Sequence, residues 1–211
     1  MPPTAVAVAV GVLIAVALLG PAFDRRAVAI VAAAAALPDL DAVFSLVAVG
    51  GPNAVLHTIF VPIGAATLLY YDTTIREQSW LADRYGWYGV RVAWVAVAAY
   101  AVAGIGLDAF STDGVALLYP FSDRYYSVFG SFLLSTQEGV IQTYVTWDEG
   151  WFQLTSPGTL GTHTVESPLT PTDGERRIRL VETGWQAVIV VTAIAALPAK
   201  LLVERRDGGG R

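Results

Sequence analysis

Residues 27–49 read AVAIVAAAAALPDLDAVFSLVAV, an apolar run long enough to cross a bilayer, interrupted by Pro38, Asp39 and Asp41. An aspartate near the centre of a bilayer costs about 2.5–3.5 kcal/mol on insertion scales, so an ionisable residue at that depth points to function. Pro38 has no N–H group to donate and disfavours helix at the residue before it. The run therefore predicts a membrane helix that breaks at Pro38 and supplies two carboxylates to a polar site.

The composition of the whole chain predicts a protein with several membrane spans. Of the 211 residues, 55% are hydrophobic and 15% are charged, and the mean hydropathy is +0.54. One span needs about 20 mostly apolar residues. The segments that meet this requirement are 5–23, 27–49, 54–71, 89–110 and 185–203. We therefore predict an all-α membrane protein, a bundle of about five transmembrane helices with the lipid bilayer as its partner.

The arginines predict the orientation of this bundle, because basic residues in short loops mark the cytoplasmic side. Arg25 and Arg26 follow the first span, Arg84 follows the third, and Arg205 and Arg206 follow the fifth. The amino terminus is thus expected outside and the carboxyl terminus inside. The predicted domains are a four-helix membrane bundle over 1–110, an extracytoplasmic segment over 111–184, and a final transmembrane helix with a cytoplasmic tail over 185–211.

The extracytoplasmic segment is predicted to be mixed, partly β or irregular. Residues 114–120 are apolar and are expected to re-enter towards the bundle, and 128–145 are expected to form an interfacial helix. Residues 162–166 and 177–182 are expected to pair as a β-hairpin around a Pro-Thr-Asp-Gly turn.

Composition also excludes several classes of function. The chain has no cysteine, which excludes disulfides, thiolate zinc sites and cysteine nucleophiles. It has a net charge of −5 and no basic face, so nucleic acid is not an expected partner. The acid excess, together with twelve arginines against one lysine, is typical of a halophile. Oligomeric state does not follow from these features.

Four ionisable residues from three predicted spans fall at similar depth beneath the outer surface: Asp39, Asp41, His57 and Asp108. If residues 38–41 are unwound, the two aspartates of the pair point to the same side, as in extended chain. Carboxylates clustered without a basic residue repel one another, and a divalent cation would remove this repulsion. Oxygen ligands with one imidazole suit Zn, Mn or Mg, and the sequence does not choose among them. The predicted metal ligands are these four residues, and the predicted catalytic residues are Asp39, Asp41 and His57.

Each of the four residues also has a simpler interpretation when taken alone. Asp39 after Pro38 could cap a broken helix end, Asp108 could be interfacial, and His57 could be a hydrogen-bonded core histidine. The same acids could also serve an ion or proton pathway, but no polar residue continues such a path towards the inner face. Glu138 and His163 are expected to be solvated residues of the outer segment.

The arrangement of these residues resembles the YdjM-like membrane-bound metal-dependent hydrolases, and it is most similar to the branch found in halophilic archaea. Pro38-Asp39-Leu40-Asp41 matches the Pro-Asp-x-Asp motif of that family, and His57 matches a later histidine. Asp108 matches the aspartate of a His-x-x-x-Asp helix, and residues 114–120, GVALLYP, match the glycine-rich Leu-Leu-Tyr-Pro stretch that comes after that helix in the family.

This chain departs from the family pattern at three histidines, whose positions are taken by Ala7, Pro52 and Gly104. The resemblance implies a divalent-metal-dependent hydrolase that acts at the outer membrane face on a lipid-like or phosphoester substrate. The missing imidazoles imply a harder, oxygen-rich site. The alternative is therefore a catalytically degenerate member that keeps its carboxylates for a structural role or for weak cation binding.

Overall fold

The computed structural model describes residues 3–44, 53–128, 130, 132–137, 139–143, 145–148, 151–163 and 180–208. The chain divides into two compact units. The helical unit comprises Pro2–Pro38, Phe60–Gly104 and Arg179–Arg211. The site unit comprises Met1, Asp39–Ile59 and Ile105–Ile178. In the described parts the structure is mostly helical, with two small two-stranded sheets.

The helical unit is built from α-helices with short 3-10 and π stretches between them. Its helices are α1 (Thr4–Leu18) and α2 (Arg25–Ala36). A short helix of the site unit, α3 (Asp41–Phe44), comes next in the chain. The helical unit continues with α4 (Phe60–Tyr70) and α5 (Trp80–Ala99). π-Helical turns extend α4 over Tyr71–Ile75 and α5 over Tyr100–Gly106. After α6 (Leu107–Ala109) of the site unit, the last helix is α7 (Gly184–Gly208).

Helix α2 begins after an aspartate cap and ends just before the proline at which the sequence predicts a break. The Asp24 side chain accepts a 2.7 Å hydrogen bond from the N–H of Ala27, as an N-cap does. After Ala36 the chain tightens into a 3-10 helix over Leu37–Leu40, because Pro38 has no N–H to close an α-helical turn. The predicted break at Pro38 is present. The unwound backbone considered for residues 38–41 is not present, since the chain stays helical there and α3 begins at Asp41.

Small side chains allow the helices of this unit to approach closely. Helices α1 and α2 meet where a Cβ on Gly11 would lie 2.6 Å from the Cβ of Ala35. The buried core is made mostly of alanine and valine, with Leu19 and Phe23 as its largest members. The core thus gains its stability from backbone proximity and dispersion more than from large side chains.

Two helical stretches in the described residues are long and apolar enough to cross a membrane, Trp80–Ala109 and Gly184–Glu204. Helix Thr4–Leu18 is apolar but shorter. Side chains of α7 such as Val188, Val191 and Ile194 are 65%, 65% and 68% exposed. An apolar helix with exposed side chains suits a lipid environment. The total of five spans stays a prediction.

The site unit contains α3, α6 and two hairpins joined by irregular chain. Strands β1 (Phe132–Ser135) and β2 (Gly139–Gln142) pair antiparallel, as do β3 (Val145–Asp148) and β4 (Trp151–Leu154). The interfacial helix predicted over 128–145 is wrong, because β-branched and large apolar residues pair across a turn that Gly139 allows with φ +76°. Most of the second predicted hairpin, residues 164–179, lies outside the described residues.

Candidate metal centre

The imidazole of His57 lies between two aspartates. Its Nδ1 is 2.9 Å from Oδ2 of Asp41, and its Nε2 is 2.8 Å from Oδ2 of Asp108. His57 is fully buried, and Asp41 and Asp108 are 1% and 3% exposed. Three ionisable side chains from distant parts of the sequence therefore form one buried hydrogen-bonded cluster.

Asp41 is fixed by the chain that carries the histidine. The N–H of Leu56 donates to both oxygens of its carboxylate, at 2.8 and 3.0 Å. Both oxygens of Asp41 thus accept from the backbone, and Oδ2 also contacts Nδ1 of His57. Hydrogen bonds of this kind fix the carboxylate and set the orientation of the ring.

Asp108 lies in the short helix α6, and one oxygen of its carboxylate contacts His57. Its carbonyl accepts hydrogen bonds from the N–H and the hydroxyl of Ser111, at 3.0 and 2.7 Å. Its Oδ2 meets His57, whereas its Oδ1 is buried and accepts no hydrogen bond from the part of the chain that the structure describes. A buried carboxylate oxygen without a donor is costly unless a positive charge lies nearby.

Asp39 completes a group that could hold a metal ion. One ligand atom each from Asp39, His57 and Asp108 lie within 4.8 Å of one another. Two carboxylates and one imidazole are donors that Zn, Mn and Mg accept. The buried oxygen of Asp108 and this donor set fit a divalent cation.

The two contacts of the His57 ring need one proton more than a neutral imidazole between two carboxylates carries, or a metal ion. A neutral imidazole has one N–H, so it can donate to only one of its two carboxylate neighbours. If Nδ1–H donates to Asp41, the lone pair of Nε2 faces Asp108 at 2.8 Å. A second proton, carried by Nε2 or by the Asp108 carboxyl, or a metal ion bound to both atoms is then needed to hold Nε2 and Asp108 at this distance.

Irregular chain before α4 places the histidine. Asn53 has a left-handed backbone conformation, with φ 60°, which asparagine tolerates well. Its side-chain amide donates to the carbonyl of Gly114, and its own carbonyl accepts from Ala116. Further along, the N–H of Ile59 donates to Leu117. Residues 53–59 are thus fixed along the 114–119 stretch, and His57 with them.

Two residues of this region were not predicted from sequence. Asn53 is fully buried, and its polar side chain beside a glycine-rich loop was its only signal. Tyr125 is also fully buried, and its burial, with the charge of Asp41 as a second cause, raises the pKa of its phenol to about 12. Nothing in the local sequence distinguishes Tyr125 from its neighbour Tyr126.

The sequence also singled out His163 and Glu138 in the outer segment. His163 is partly buried, with Nε2 3.0 Å from the carbonyl of Asp113 and its ring edge-on to Tyr125. Its expected solvation is therefore only partial. Glu138 lies outside the described residues.

Two of the three positions where the family histidines are missing can be described. Ala7 is buried in α1. A Cβ on Gly104 would lie 2.5 Å from Cγ of Pro38. The proline ring thus occupies the space that a side chain at position 104 would need. Position 52 lies outside the described residues.

The structure therefore brings together all four residues that the sequence singled out. His57 contacts Asp41 and Asp108, and Asp39 lies within reach of a shared ion. Asp41 differs from Asp39 and Asp108. It contacts Nδ1 of His57, whereas Asp108 contacts Nε2 and Asp39 belongs to the group that could hold an ion. Their metal-binding and catalytic roles stay predictions.

Comparison with known proteins identifies the family. A family model described as YdjM inner membrane protein matches residues 1–195. No curated protein and no solved structure matches the chain. The match covers α1 to α6 and α7 as far as residue 195, and it supports the membrane location that composition predicts. The resemblance seen in the Pro38–Asp41 motif, His57 and Asp108 is thereby confirmed: the chain belongs to the YdjM inner membrane protein family.

Proposed function

We propose that this membrane protein binds a divalent cation at Asp39, His57 and Asp108 and hydrolyses a lipid-like or phosphoester substrate at the outer membrane face. The observation that carries the proposal is the convergence of three ligand atoms within 4.8 Å. The buried Oδ1 of Asp108 supports it, because a cation would compensate an oxygen that accepts no hydrogen bond from the described residues. A bound divalent cation would supply Lewis-acid activation of a water molecule or of the ester group.

In this proposal Asp41 is a positioning residue, whereas Asp39, His57 and Asp108 are the ligands. Its contact with Nδ1 of His57 keeps the proton on that nitrogen and leaves Nε2 to face the ion. The two N–H···O bonds from Leu56 fix the carboxylate that does this. Asp39 and His57 hold the reacting centre directly, and Asp41 acts through the histidine.

Metal analysis of the purified protein tests this assignment. The wild type should contain one Zn, Mn or Mg ion per chain, and Asp39→Asn and Asp108→Asn should lose it. Asp41→Asn should keep a site weakened about 10–100-fold, as expected when the carboxylate partner of a metal-bound histidine is removed. Asp123→Asn, an exposed acid of the same unit, is the matched control. A wild type that takes up none of these ions would contradict the proposal.

The second candidate is a catalytically degenerate protein in which a proton replaces the metal. It is favoured by the contacts of both ring nitrogens of His57 with carboxylates, at 2.9 and 2.8 Å. Here the imidazolium is the counter-charge of Asp41 and Asp108, and the cluster is structural. Nitrogen NMR of labelled histidine separates the two, because the chain has only two histidines and His163→Gln leaves His57 alone. Two protonated nitrogens in a sample supplied with metal would support this second candidate.

We further propose the five-span topology, with the amino terminus and residues 111–184 outside. The two long apolar helices and the family support a membrane protein, and the arginine distribution supports the orientation. Because the chain has no cysteine, single cysteines can be introduced at Asp123 and at Arg84. An impermeant maleimide applied to intact cells should label the first and not the second. The reverse pattern would invert the proposed topology.

A further inference from the structure

A groove in the helical unit involves none of the four site residues. It is formed where the turn after α1 meets residues 87–95 of α5, and it has a volume of about 700 Å³. This volume is within the range of about 300–1,000 Å³ typical of small-ligand sites. The groove is lined by Leu18, Pro21, Ala22, Trp87, Tyr88, Arg91 and neighbouring residues of α5 up to Val95.

The guanidinium of Arg91 is fixed at this groove by one hydrogen bond. Its Nε donates to the carbonyl of Leu18 at 2.9 Å, which satisfies a carbonyl at the end of α1. Gly20, with φ +52°, lets the backbone approach the guanidinium, since a Cβ there would lie 3.3 Å from Nη2. Within the described residues, the two Nη groups form no hydrogen bond or ion pair. The orientation of the guanidinium is thus fixed through Nε, while its two Nη groups are available to donate to a ligand.

The aromatic residues of the groove are exposed and amphipathic. Trp87 is 77% exposed and Trp94 is 36% exposed. Exposed tryptophans on an apolar helix are typical of the level of the lipid headgroups. The lining thus combines an apolar surface, where an acyl chain can lie, with one guanidinium, where a phosphate can bind.

The charges around the groove favour an anion. Arg25 and Arg26 lie exposed at the start of α2, directly after the turn that lines the groove. The acid of the turn, Asp24, already accepts hydrogen bonds from the N–H of Ala27 and the hydroxyl of Tyr88, at 2.7 and 3.0 Å. These donors offset its charge, so it opposes an anion less than a free carboxylate would.

We propose that this groove is a binding site for an anionic phospholipid, with the headgroup phosphate on the Nη groups of Arg91 and an acyl chain against Leu18 and Trp94. A lipid fits better than a free phosphate because most of the lining is apolar. Charge complementarity distinguishes an anionic lipid from a zwitterionic one, whose phosphate is accompanied by a cation of its own. The proposal is independent of the metal site and of the reaction.

Tryptophan quenching by brominated lipids tests the site. The full chain is reconstituted into vesicles of phosphatidylcholine and phosphatidylglycerol, with one lipid brominated at a time, and the ratio of the two association constants is measured. The wild type should prefer phosphatidylglycerol. Arg91→Gln should lower the ratio about fivefold, the effect expected of one basic side chain at an anionic surface. Arg91→Lys should keep the preference, and Trp94→Phe should weaken the quenching that reports it.

The controls separate a built site from diffuse surface charge. Arg84→Gln removes the same charge from α5, but it lies before the non-helical backbone of Gly86 and outside the groove lining. It should leave the ratio unchanged. Leu18→Trp narrows the groove without changing charge, and it should also lower the ratio, which keeps the test decisive if Arg91→Gln does not fold. An unchanged ratio in both Arg91→Gln and Leu18→Trp, or an equal fall in Arg84→Gln, would overturn the proposal.

Discussion

The helical unit and the site unit are stabilised by different interactions. The helical unit buries alanine and valine between closely approaching backbones and leaves apolar side chains exposed on α7. The site unit buries His57, Asp41, Asp108 and Asn53, and its irregular chain is fixed by hydrogen bonds between segments far apart in sequence. The first unit should therefore be sensitive to added volume and added charge, and the second to the loss of one polar partner.

The largest effect is expected from removing the histidine of the buried cluster. His57→Leu leaves Asp41 and Asp108 facing each other without a counter-charge, and the free energy of unfolding should fall by about 3–5 kcal/mol. Thermal or denaturant unfolding in detergent measures the loss. Adding Asp41→Asn and Asp108→Asn to His57→Leu should recover part of the stability. No recovery would mean that the lost packing of the ring, and not stranded charge, is responsible.

A charge on the exposed face of α7 should have the next largest effect. Ile194 is 68% exposed near the middle of the apolar stretch. Ile194→Asp should oppose membrane insertion by about 2.5–3.5 kcal/mol, as measured by the inserted fraction in a translocation assay. Val181→Asp, at an exposed valine before the helix, is the control and should insert normally. Equal insertion of both variants would show that α7 does not face lipid.

Two glycines of the helical unit should respond to alanine with opposite signs. A Cβ on Gly11 would lie 2.6 Å from that of Ala35, whereas a Cβ on Gly64 meets nothing within 4 Å. Gly11→Ala should lower the free energy of unfolding by about 1–3 kcal/mol because it overpacks two helices. Gly64→Ala should raise it by about 0.5–1 kcal/mol because alanine favours helix. Melting temperatures of the two variants check this, and a stabilised Gly11→Ala would contradict the close approach.

The smallest loss of stability is expected at the cap of α2. Asp24→Ala should cost about 1 kcal/mol. The N–H of Ala27 is the main cause that lowers the pKa of the Asp24 carboxyl in the folded state. Its contribution is therefore complete above the ordinary aspartate pKa of about 3.9, and it is lost as the pH falls through the lower folded value. Melting temperatures between pH 3 and pH 7 should show the wild type and variant converging at acid pH, whereas the exposed Asp83→Ala control should not.

Sequence reasoning worked best where one residue acts through its own chemistry. Pro38 predicted the break after α2, and the Pro38–Asp41 motif with His57 and Asp108 predicted the family. Sequence reasoning failed where the secondary structure depends on pairing between segments. Strands β1 and β2 are the example, since they replace the helix predicted over 128–145. The short apolar runs there, 132–134 and 140–141, suit either structure, and the turn at Gly139 allows the two strands to pair.

The roles of the aspartates show the same limit. Their spacing identified Asp39 and Asp41 as candidates, but it did not distinguish them. The structure does, because Leu56 and Nδ1 of His57 occupy the carboxylate of Asp41, while Asp39 lies with His57 and Asp108. The sequence likewise did not explain the glycine at position 104. The structure does, because the ring of Pro38 occupies the space that a side chain would need.

By itself, the sequence determined a membrane protein of the YdjM family with buried acids beside a proline, because hydropathy and the cost of burying a charge are properties of single residues and short runs. Only the tertiary structure decided which carboxylate meets which nitrogen of His57. Those contacts join residues 41, 57 and 108, and hydrogen-bond geometry across such separations is set by how the chain packs.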